Sequence, residues 1–298
     1  MINSYINITD ISFLNSNTNT LDDLNILYKK GLFTDKEKWN NYKLSGDLPD
    51  LGKSISSRIK NRMSQLSLGV LDVMENGPEK NLAEDEELCL FTGFGEIETT
   101  NKIVKNVVID KHQLVSPTLF HNSVHHTSLG YYTIIKKKHN SCITISDGLR
   151  TNLSFISYIN YMAKAKRGIV VISGDEYSSF FELDKTTDVQ LFPAFIAYRI
   201  NFSDNSGFRF IGDFNSLNNV LTNDKFIAAT KIMCDKNTFL ELEPKKNNKE
   251  LLAEYPLVLD SPCSLVFRLA MPFFLNFKDK SLVIHRAEDK YYLFEVVL

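Results

Sequence analysis

Four cysteines, eight prolines, thirteen glycines and one tryptophan in 298 residues are few, and each scarcity excludes something. Cys89, Cys142, Cys234 and Cys263 stand far apart, and none belongs to a Cys-x-x-Cys pair. That spacing offers neither a zinc framework nor a disulfide pattern, so reduced, individually packed thiols are expected. No sign of charge dominates: 34 basic side chains face 36 acidic ones, for a formal net charge of −2. A protein holding nucleic acid by phosphate neutralisation needs a basic excess, so that class is set aside. No uninterrupted apolar run approaches the roughly 18–20 residues of a membrane helix, so no membrane span is expected. Met1–Asp10 has neither a basic start nor a long apolar stretch. No secretory signal is visible there, and a cytoplasmic location is expected. What remains is a chain 43% hydrophobic and long enough to bury one large core or two modest ones.

Periodicity organises the first two thirds. Leu21, Leu24, Leu27 and Tyr28 predict a short helix stopped at Gly31. Gly46 and Pro49 mark a loop over 44–49. Ile55, Ile59, Met63, Leu66, Val70, Val73 and Met74 recur at three- and four-residue spacing and predict one amphipathic helix. Ser54 or Ser56 can cap its start, and Asn76-Gly77-Pro78 stops it. After an acidic connector, Glu84–Glu87, comes the compact apolar strand Leu88–Thr92. Phe155, Tyr158, Ile159 and Met162 predict a second helix, running to Lys164–Arg167 and stopping at Gly168. It leads into Ile169–Ser173, a run suited to a strand buried on both faces. Strand, helix and strand in alternation imply a layered α/β architecture. The last third differs. Phe192–Ile200, Phe208–Ile211, Ser264–Phe274, Ser281–His285 and Tyr291–Leu298 are strand-like, and Arg286–Lys290 suits a hairpin loop. Leu221–Cys234 suggests one more helix, and no internal repeat is visible.

Several constellations could carry chemistry. Gly93-Phe94-Gly95 follows a strand, but a dinucleotide fingerprint needs a third glycine where Glu98 stands. The plain reading is a tight turn. Five of the six histidines, His112, His121, His125, His126 and His139, cluster between 112 and 139. His121 and His125 have helical i, i+4 spacing, yet Ser116-Pro117-Thr118 suggests a loop or strand entrance and no nearby carboxylate or Cys completes a ligand set. No metal and no cofactor are expected. There is no Gly-x-Ser-x-Gly elbow, and Cys142 is the thiol nearest the histidines.

Residues 116–135, Ser-Pro-Thr-Leu-Phe-His-Asn-Ser-Val-His-His-Thr-Ser-Leu-Gly-Tyr-Tyr-Thr-Ile-Ile, resemble a segment of β-ketoacyl synthase-like proteins of the thiolase fold. The closest resemblance is to the short, chain-length-factor-like subfamily of aryl polyene and type II polyketide systems. Phe120, Asn122, Ser123, Val124, His125, Gly130 and Tyr131 match its pattern, whereas His126 and Thr127 depart from the usual Asn-Ala. Arg58–Met74 is similar to the family's first long helix, with Arg62-Met63-Ser64 at its start. Leu88–Gly95 is similar to the following strand and its Thr-Gly-x-Gly turn, and Ile143–Gly174 to the nucleophile-bearing strand, helix and next strand. The resemblance covers about residues 55 to 200. It implies a thiolase-like layered α/β fold, with a well-formed ketosynthase-like half over 1–200. A shortened, divergent, strand-rich half over 201–298 would pack with it as one compact unit.

The departures are as informative. An active ketosynthase carries Cys at the turn before that helix, where the helix N-terminus favours thiolate. Here the slot falls within Asp147, Gly148 and Leu149, and Cys142 comes several residues too early. The family's two C-terminal histidines are also missing, since after residue 139 only His285 remains. The resemblance therefore implies a non-catalytic partner of an active ketosynthase, a heterodimer in polyketide, polyene or fatty-acid-like biosynthesis. It meets acyl carrier protein only indirectly. Phe120, Asn122, His125, His126, Leu129, Tyr131 and Tyr132 are the candidates for the interface or the acyl-tunnel wall. The alternatives are a divergent acyltransferase using Cys142 or the His121–His126 cluster, and a structural homodimer.

Overall fold

The computed structural model describes residues 5–15, 20–39, 42, 48–111, 115–165, 168–176, 193–203, 205–245, 247–253 and 261–298. His112, residues 44–47, Lys166, Arg167 and Phe192 therefore lie outside the described residues. Ten strands make one mixed sheet. They are β1 (Tyr5–Asn15), β2 (Glu87–Thr92), β3 (Cys142–Ser146), β4 (Ile169–Asp175), β5 (Ala194–Ser203), β6 (Gly207–Phe214), β7 (Lys231–Cys234), β8 (Glu250–Ala253), β9 (Ser281–Ala287) and β10 (Lys290–Val297). Their spatial order is β3-β2-β4-β5-β1-β6-β10-β9-β7-β8.

Outward from the seam between β1 and β6, each half follows one plan. The first strand pairs antiparallel with the fifth of its half, which pairs antiparallel with the fourth; fourth, second and third are mutually parallel. The fold is a duplication that the sequence conceals. Its first copy spans 5–203 and its second only 207–297, so the C-terminal half carries the same five strands in less than half the length.

The principal helices are α1 (Leu21–Lys29), α2 (Gln65–Asn76), α3 (Ile97–Val104), α4 (Pro117–Asn122), α5 (Thr127–Lys136), α6 (Thr151–Ala165), α7 (Lys236–Leu242) and α8 (Ser264–Phe274). They cover both faces of the sheet. Leu88, Leu90, Val170, Ile172, Phe195 and Ala197 pack with α2 and α5 on one face. Cys89, Phe91, Ile169, Val171, Ile196 and Tyr198 pack with α6 and α8 on the other. A strand apolar on both sides has no polar face to show, which is why β2 and β4 read as continuous apolar runs. Among the described residues no helix is long and apolar enough to cross a membrane.

Local chemistry explains where the structure departs from the sequence reading. The long helix expected over 55–74 is a single turn, Ser57–Lys60, followed by α2. Ser64 Oγ accepts from the Ser67 amide at 3.0 Å, so α2 starts afresh at its own cap. Ser116 and Pro117 open α4 rather than a strand, because Ser116 caps Leu119 and Pro117 sits in the first turn. Ser264–Phe274 is helix α8, not strand; every residue from Ser264 to Pro272 is buried, so no polar face betrays its period. Leu221–Cys234 is not one helix. Asn223 caps a short turn, Asp224–Ala228, and the chain then extends into β7. The hairpin between β9 and β10 forms as expected, with Glu288 in its turn at φ 53°.

Close approach of α2 to the sheet fixes one glycine. A Cβ on Gly69 would lie 2.5 Å from the Phe195 ring. Gly69→Ala is expected to lower unfolding free energy by about 1–3 kcal/mol, as overpacked cores do. Gly130 of α5 has nothing within 4 Å of its Cβ position, so Gly130→Ala is the control, neutral or stabilising by up to about 1 kcal/mol. Denaturant midpoints of the two variants check both statements.

Candidate functional site

In sheets of parallel strands, ligand sites lie at the carboxyl ends of the strands. In the N-terminal half those ends are Thr92 of β2, Ser146 of β3 and Asp175 of β4. β3 leads through Asp147 into a tight turn, Gly148–Arg150, and then α6. Gly148 has φ 55°, and its amide donates to the Gly93 carbonyl at 2.9 Å. Asp147 is exposed; its amide donates to Thr151 Oγ1 at 3.2 Å and its carboxylate accepts from Ser154 Oγ at 2.6 Å. Leu149 is 63% exposed, and Arg150 pairs with Glu288 of the C-terminal hairpin at 3.3 Å. The slot that resemblance assigns to a nucleophile thus holds a solvated carboxylate tethered to its own helix.

Cys142 does not stand in for it. It opens β3 opposite Leu88, its Sγ donates to the Asn140 carbonyl at 3.4 Å, and burial pushes its thiol up. A thiolate there lacks what stabilises one.

The turn after β2 is a nest of amides already occupied. The Asp175 carboxylate accepts from Thr92 Oγ1 at 2.8 Å, the Gly93 amide at 2.7 Å and the Phe94 amide at 3.2 Å. Gly95, at φ 58°, donates its amide to Thr92 Oγ1, and a Cβ there would sit 2.0 Å from His125 Nδ1. The anion that such a nest prefers is supplied from inside the protein. Asp175 is buried, and desolvation raises its carboxyl even against those three donors.

The C-terminal half closes the corresponding place with charge. Asp235, just past β7, accepts from the Thr238 amide and Thr238 Oγ1, each at 2.8 Å, and from the Arg286 amide at 3.1 Å. Burial works against its ionised form, but the Arg268 guanidinium and these donors hold its carboxyl below the usual range. Arg268 is fully buried in α8 and donates to His285 Nδ1 of β9 at 2.8 Å. Burial, then that guanidinium, pull His285 down to about 3, so the ring is neutral. Between the halves, Asn152 at the start of α6 accepts from the Leu265 amide at 3.0 Å and reaches Ser264 at 3.4 Å. The N-termini of α6 and α8 are thereby tied to each other. Cys263 beside them is buried and packed against the Phe91 carbonyl at 3.5 Å, with its thiol raised well above normal.

The histidines do not converge. His121 ends α4, and its ring meets Tyr131 edge-on at 5.6 Å; His125 and His126 lie in the following turn. The i, i+4 pair is therefore not on one helix. His125 covers Gly95, while His126 Nδ1 stands 3.4 Å from Thr144 Oγ1 of β3. His139 is exposed beyond α5. Among the described residues no group of three metal-ligating side chains is found.

The interface candidates separate into two layers. Leu129 and Tyr132 are wholly buried and pack with Val70, Leu71 and Leu88 in the core, facing no surface. Asn122 is buried too; its Nδ2 donates to the Arg62 carbonyl at 2.5 Å and its Oδ1 accepts from Tyr131 OH at 3.2 Å. Phe120 and Tyr131, with His126, line a groove of about 800 Å³ on the outer surface of α4 and α5. Sequence reasoning missed Val124 and Ile134 as members of that wall, 55% and 77% exposed, and Arg62 beside them. Spacing alone carried no signal for them, because helix phase against the sheet decides which side chains face outward.

Sequence reasoning also missed two buried carboxyls beneath that wall. Glu176 accepts from the Leu66 amide of α2 and the Glu98 amide of α3, each at 3.2 Å. Glu96 Oε1 accepts from Ser64 at 2.9 Å, Ser128 at 2.8 Å and Ser67 at 3.4 Å, whereas Oε2 finds no partner among the described residues.

Burial of the thiols predicts their chemistry. In the native protein at pH 7.5, Cys89, Cys234 and Cys263 are expected to resist iodoacetamide, with Cys142 modified no faster than an ordinary thiol. Rapid labelling of any one of them, read by peptide mass, contradicts this assignment.

The family described as Beta-ketoacyl synthase, N-terminal domain, matches residues 39–202, more than half of the chain. No match was found among curated proteins. Solved structures with the same fold include a ketosynthase in complex with its chain length factor from Xenorhabdus doucetiae, at 13% identity and a TM-score of 0.64. That match covers 97% of this chain and 98% of the other. The ishigamide ketosynthase/chain length factor has a TM-score of 0.68 at 11% identity, covering 99% of this chain and 100% of the other. A type II polyketide acyl-carrier protein in complex with its ketosynthase gives a TM-score of 0.68 at 13% identity, covering 99% of each chain. From the sequence match over the first half and the duplicated five-strand plan of the whole, the chain belongs to the β-ketoacyl synthase family and has its thiolase-like fold.

Proposed function

We propose that this chain is a non-catalytic, chain-length-factor-like subunit. It pairs with an active β-ketoacyl synthase and shapes that partner's acyl tunnel in polyene, polyketide or fatty-acid-like synthesis. One observation carries the reading. Among the described residues β3, the strand leading into the turn without a cysteine, pairs only with β2 and forms an edge of the sheet, and the apolar groove lies beside it.

An edge strand offers a row of unpaired amides and carbonyls, which proteins commonly blunt with charge, proline or a bulge. β3 reads Cys142-Ile-Thr-Ile-Ser146 and carries none of these. The opposite edge is treated differently. There the Ala253 amide of β8 donates to the Phe33 carbonyl at 2.9 Å, and Tyr28 OH donates to Glu250 at 3.0 Å. An open edge flanked by Phe120, Val124 and Ile134 is suited to a partner that adds a strand and buries those side chains. Two of the similar structures are ketosynthases with their chain length factors, which favours a ketosynthase as that partner.

The vacant turn supports the silent half of such a pair. Claisen condensation through an acyl-enzyme needs a thiolate and positioned groups that stabilise the enolate. Here the turn holds Asp147, Cys142 is a raised thiol on the strand, and His285 is neutral and enclosed by Arg268. The carrier protein would then deliver its chain to the partner's cysteine. An acyltransferase acting through Cys142 is the competing reading, and the same experiment separates the two.

Co-expression with a Cys-bearing ketosynthase is expected to give a one-to-one complex. Phe120→Asp and Ile134→Asp, both at well-exposed positions, are each expected to lower its affinity at least about tenfold, with the thermal midpoint of the free chain unchanged. After incubation with an acyl thioester, intact mass should show the adduct on the partner alone. An adduct on this chain that Cys142→Ser abolishes supports the acyltransferase instead. No complex, or unchanged affinity in both variants, would falsify the pairing.

A further inference from the structure

β3 is thinly covered on both faces of the sheet. Its five residues, Cys142–Ser146, are all half-buried, whereas the neighbouring β2 is fully buried from Leu88 to Thr92. Alternate side chains of a strand point to opposite faces. Thr144 points to the side of α4 and α5, where its Oγ1 stands 3.4 Å from His126 Nδ1. Ile143 and Ile145 point to the other side and pack with the cluster beneath α6. There Ile145 of β3 and Leu153, Ser157 and Tyr158 of α6 line a cleft of about 490 Å³.

α6 divides accordingly. Phe155, Ile156, Ile159, Met162 and Ala163 are buried in the core. Leu149, Leu153, Ser157 and Tyr161 recur every four residues along the outer side, from the turn before the helix to near its end. Leu149 and Tyr161 are 63% and 66% exposed, and the serine between them leaves low ground. The two charged residues that line the cleft, Asp147 and Arg150, already have partners in Ser154 and Glu288. An apolar ridge with large residues at its ends and a small one between them matches a helix laid across it, ridge into groove.

We propose that the outer side of α6, from Leu149 to Tyr161, and the cleft beside Ile145 form a second docking surface, occupied by an apolar helix of the ketosynthase partner. The partner then straddles the edge strand instead of resting on the groove alone. This inference rests on the pairing proposed above, and interface area argues for it. A stable interface takes about 800 Å² from each partner. Phe120, Val124 and Ile134, at 55–77% exposure, supply less than half of that, since even a whole aromatic side chain presents only about 150–250 Å². The cleft is continuous with the same edge through Ile145, on the face opposite the groove. A partner of the same layered fold that adds a strand to β3 carries helices above and below that strand. One of them meets the groove, and the other meets α6.

The test uses the full-length chain, with the cysteine-bearing ketosynthase of the co-expression experiment as the probe. Leu149→Asp and Tyr161→Asp are each expected to weaken the complex at least about tenfold, with the thermal midpoint of the free chain unchanged. Ile227→Asp, at a position 62% exposed in the C-terminal half, is the control and is expected to leave the affinity as it is. Hydroxyl-radical labelling of the wild-type pair, read by peptide mass, reports on the same surface without a substitution. Tyr161 is expected to lose most of its labelling in the complex, while Ile227 keeps its own. A Tyr161 labelled in the complex as in the free chain overturns the second surface and leaves the pairing standing. So does a complex weakened by Phe120→Asp but by neither Leu149→Asp nor Tyr161→Asp. No complex at all overturns both.

Discussion

Two consecutive acidic residues at the end of one buried strand hold the first half of this molecule together. Asp175 takes the amides of the turn after β2, and Glu176 takes the first turns of α2 and α3. Hydrogen bonds to charged groups contribute roughly 1.5–3 kcal/mol each, and an unpaired buried amide costs about as much. A carboxylate that satisfies several such donors at once is therefore both costly to bury and costly to remove. β4 can carry the pair because the strand itself is buried from Ile169 to Asp175, so its end projects into the junction of turn, helices and second half. Ser261, on the way into α8, lies 3.4 Å from the other Asp175 oxygen, which extends the junction to the C-terminal copy.

The same economy closes both places where this topology would present a ligand. In the first half an internal carboxylate occupies the amide nest; in the second, Asp235, Arg268 and His285 occupy the ends of β7 and β9. Here the helix N-termini and strand ends find partners within the chain, while the buried His285 Nε2 has none among the described residues. The second copy has the same five strands in less than half the length, and its shortened connections leave these ends to be capped by their own helices.

In the pairing proposed above, recognition falls to the exterior. The duplicated sheet ends in two edges of different character: β8 is met by Phe33 and Tyr28, and β3, which carries no charge, pairs among the described residues with β2 alone. Phe120, Val124 and Ile134 beside β3 have no place in the core, and their exposure is costly unless something covers them.

Periods and punctuation in the sequence determined much of this. The helix from Leu66 to Met74, the helix from Phe155 to Met162, and the doubly buried strands at Leu88 and Ile169 were legible, because each is a local pattern of side-chain type. The motif at 116–135 could not say which of its residues face outward. Leu129 and Tyr132 turned to the core, and Ile134 to the surface, because helix phase against the sheet decides that and spacing alone does not. α8 was unreadable, as a helix buried all round has no polar face, and the duplication was unreadable because two copies can share a topology without sharing residues. Only the tertiary structure brought Glu176 to Leu66, Asp175 to Gly93 and Arg268 to His285. Those pairs join residues far apart in the chain, and their chemistry depends on burial that no single stretch of sequence possesses.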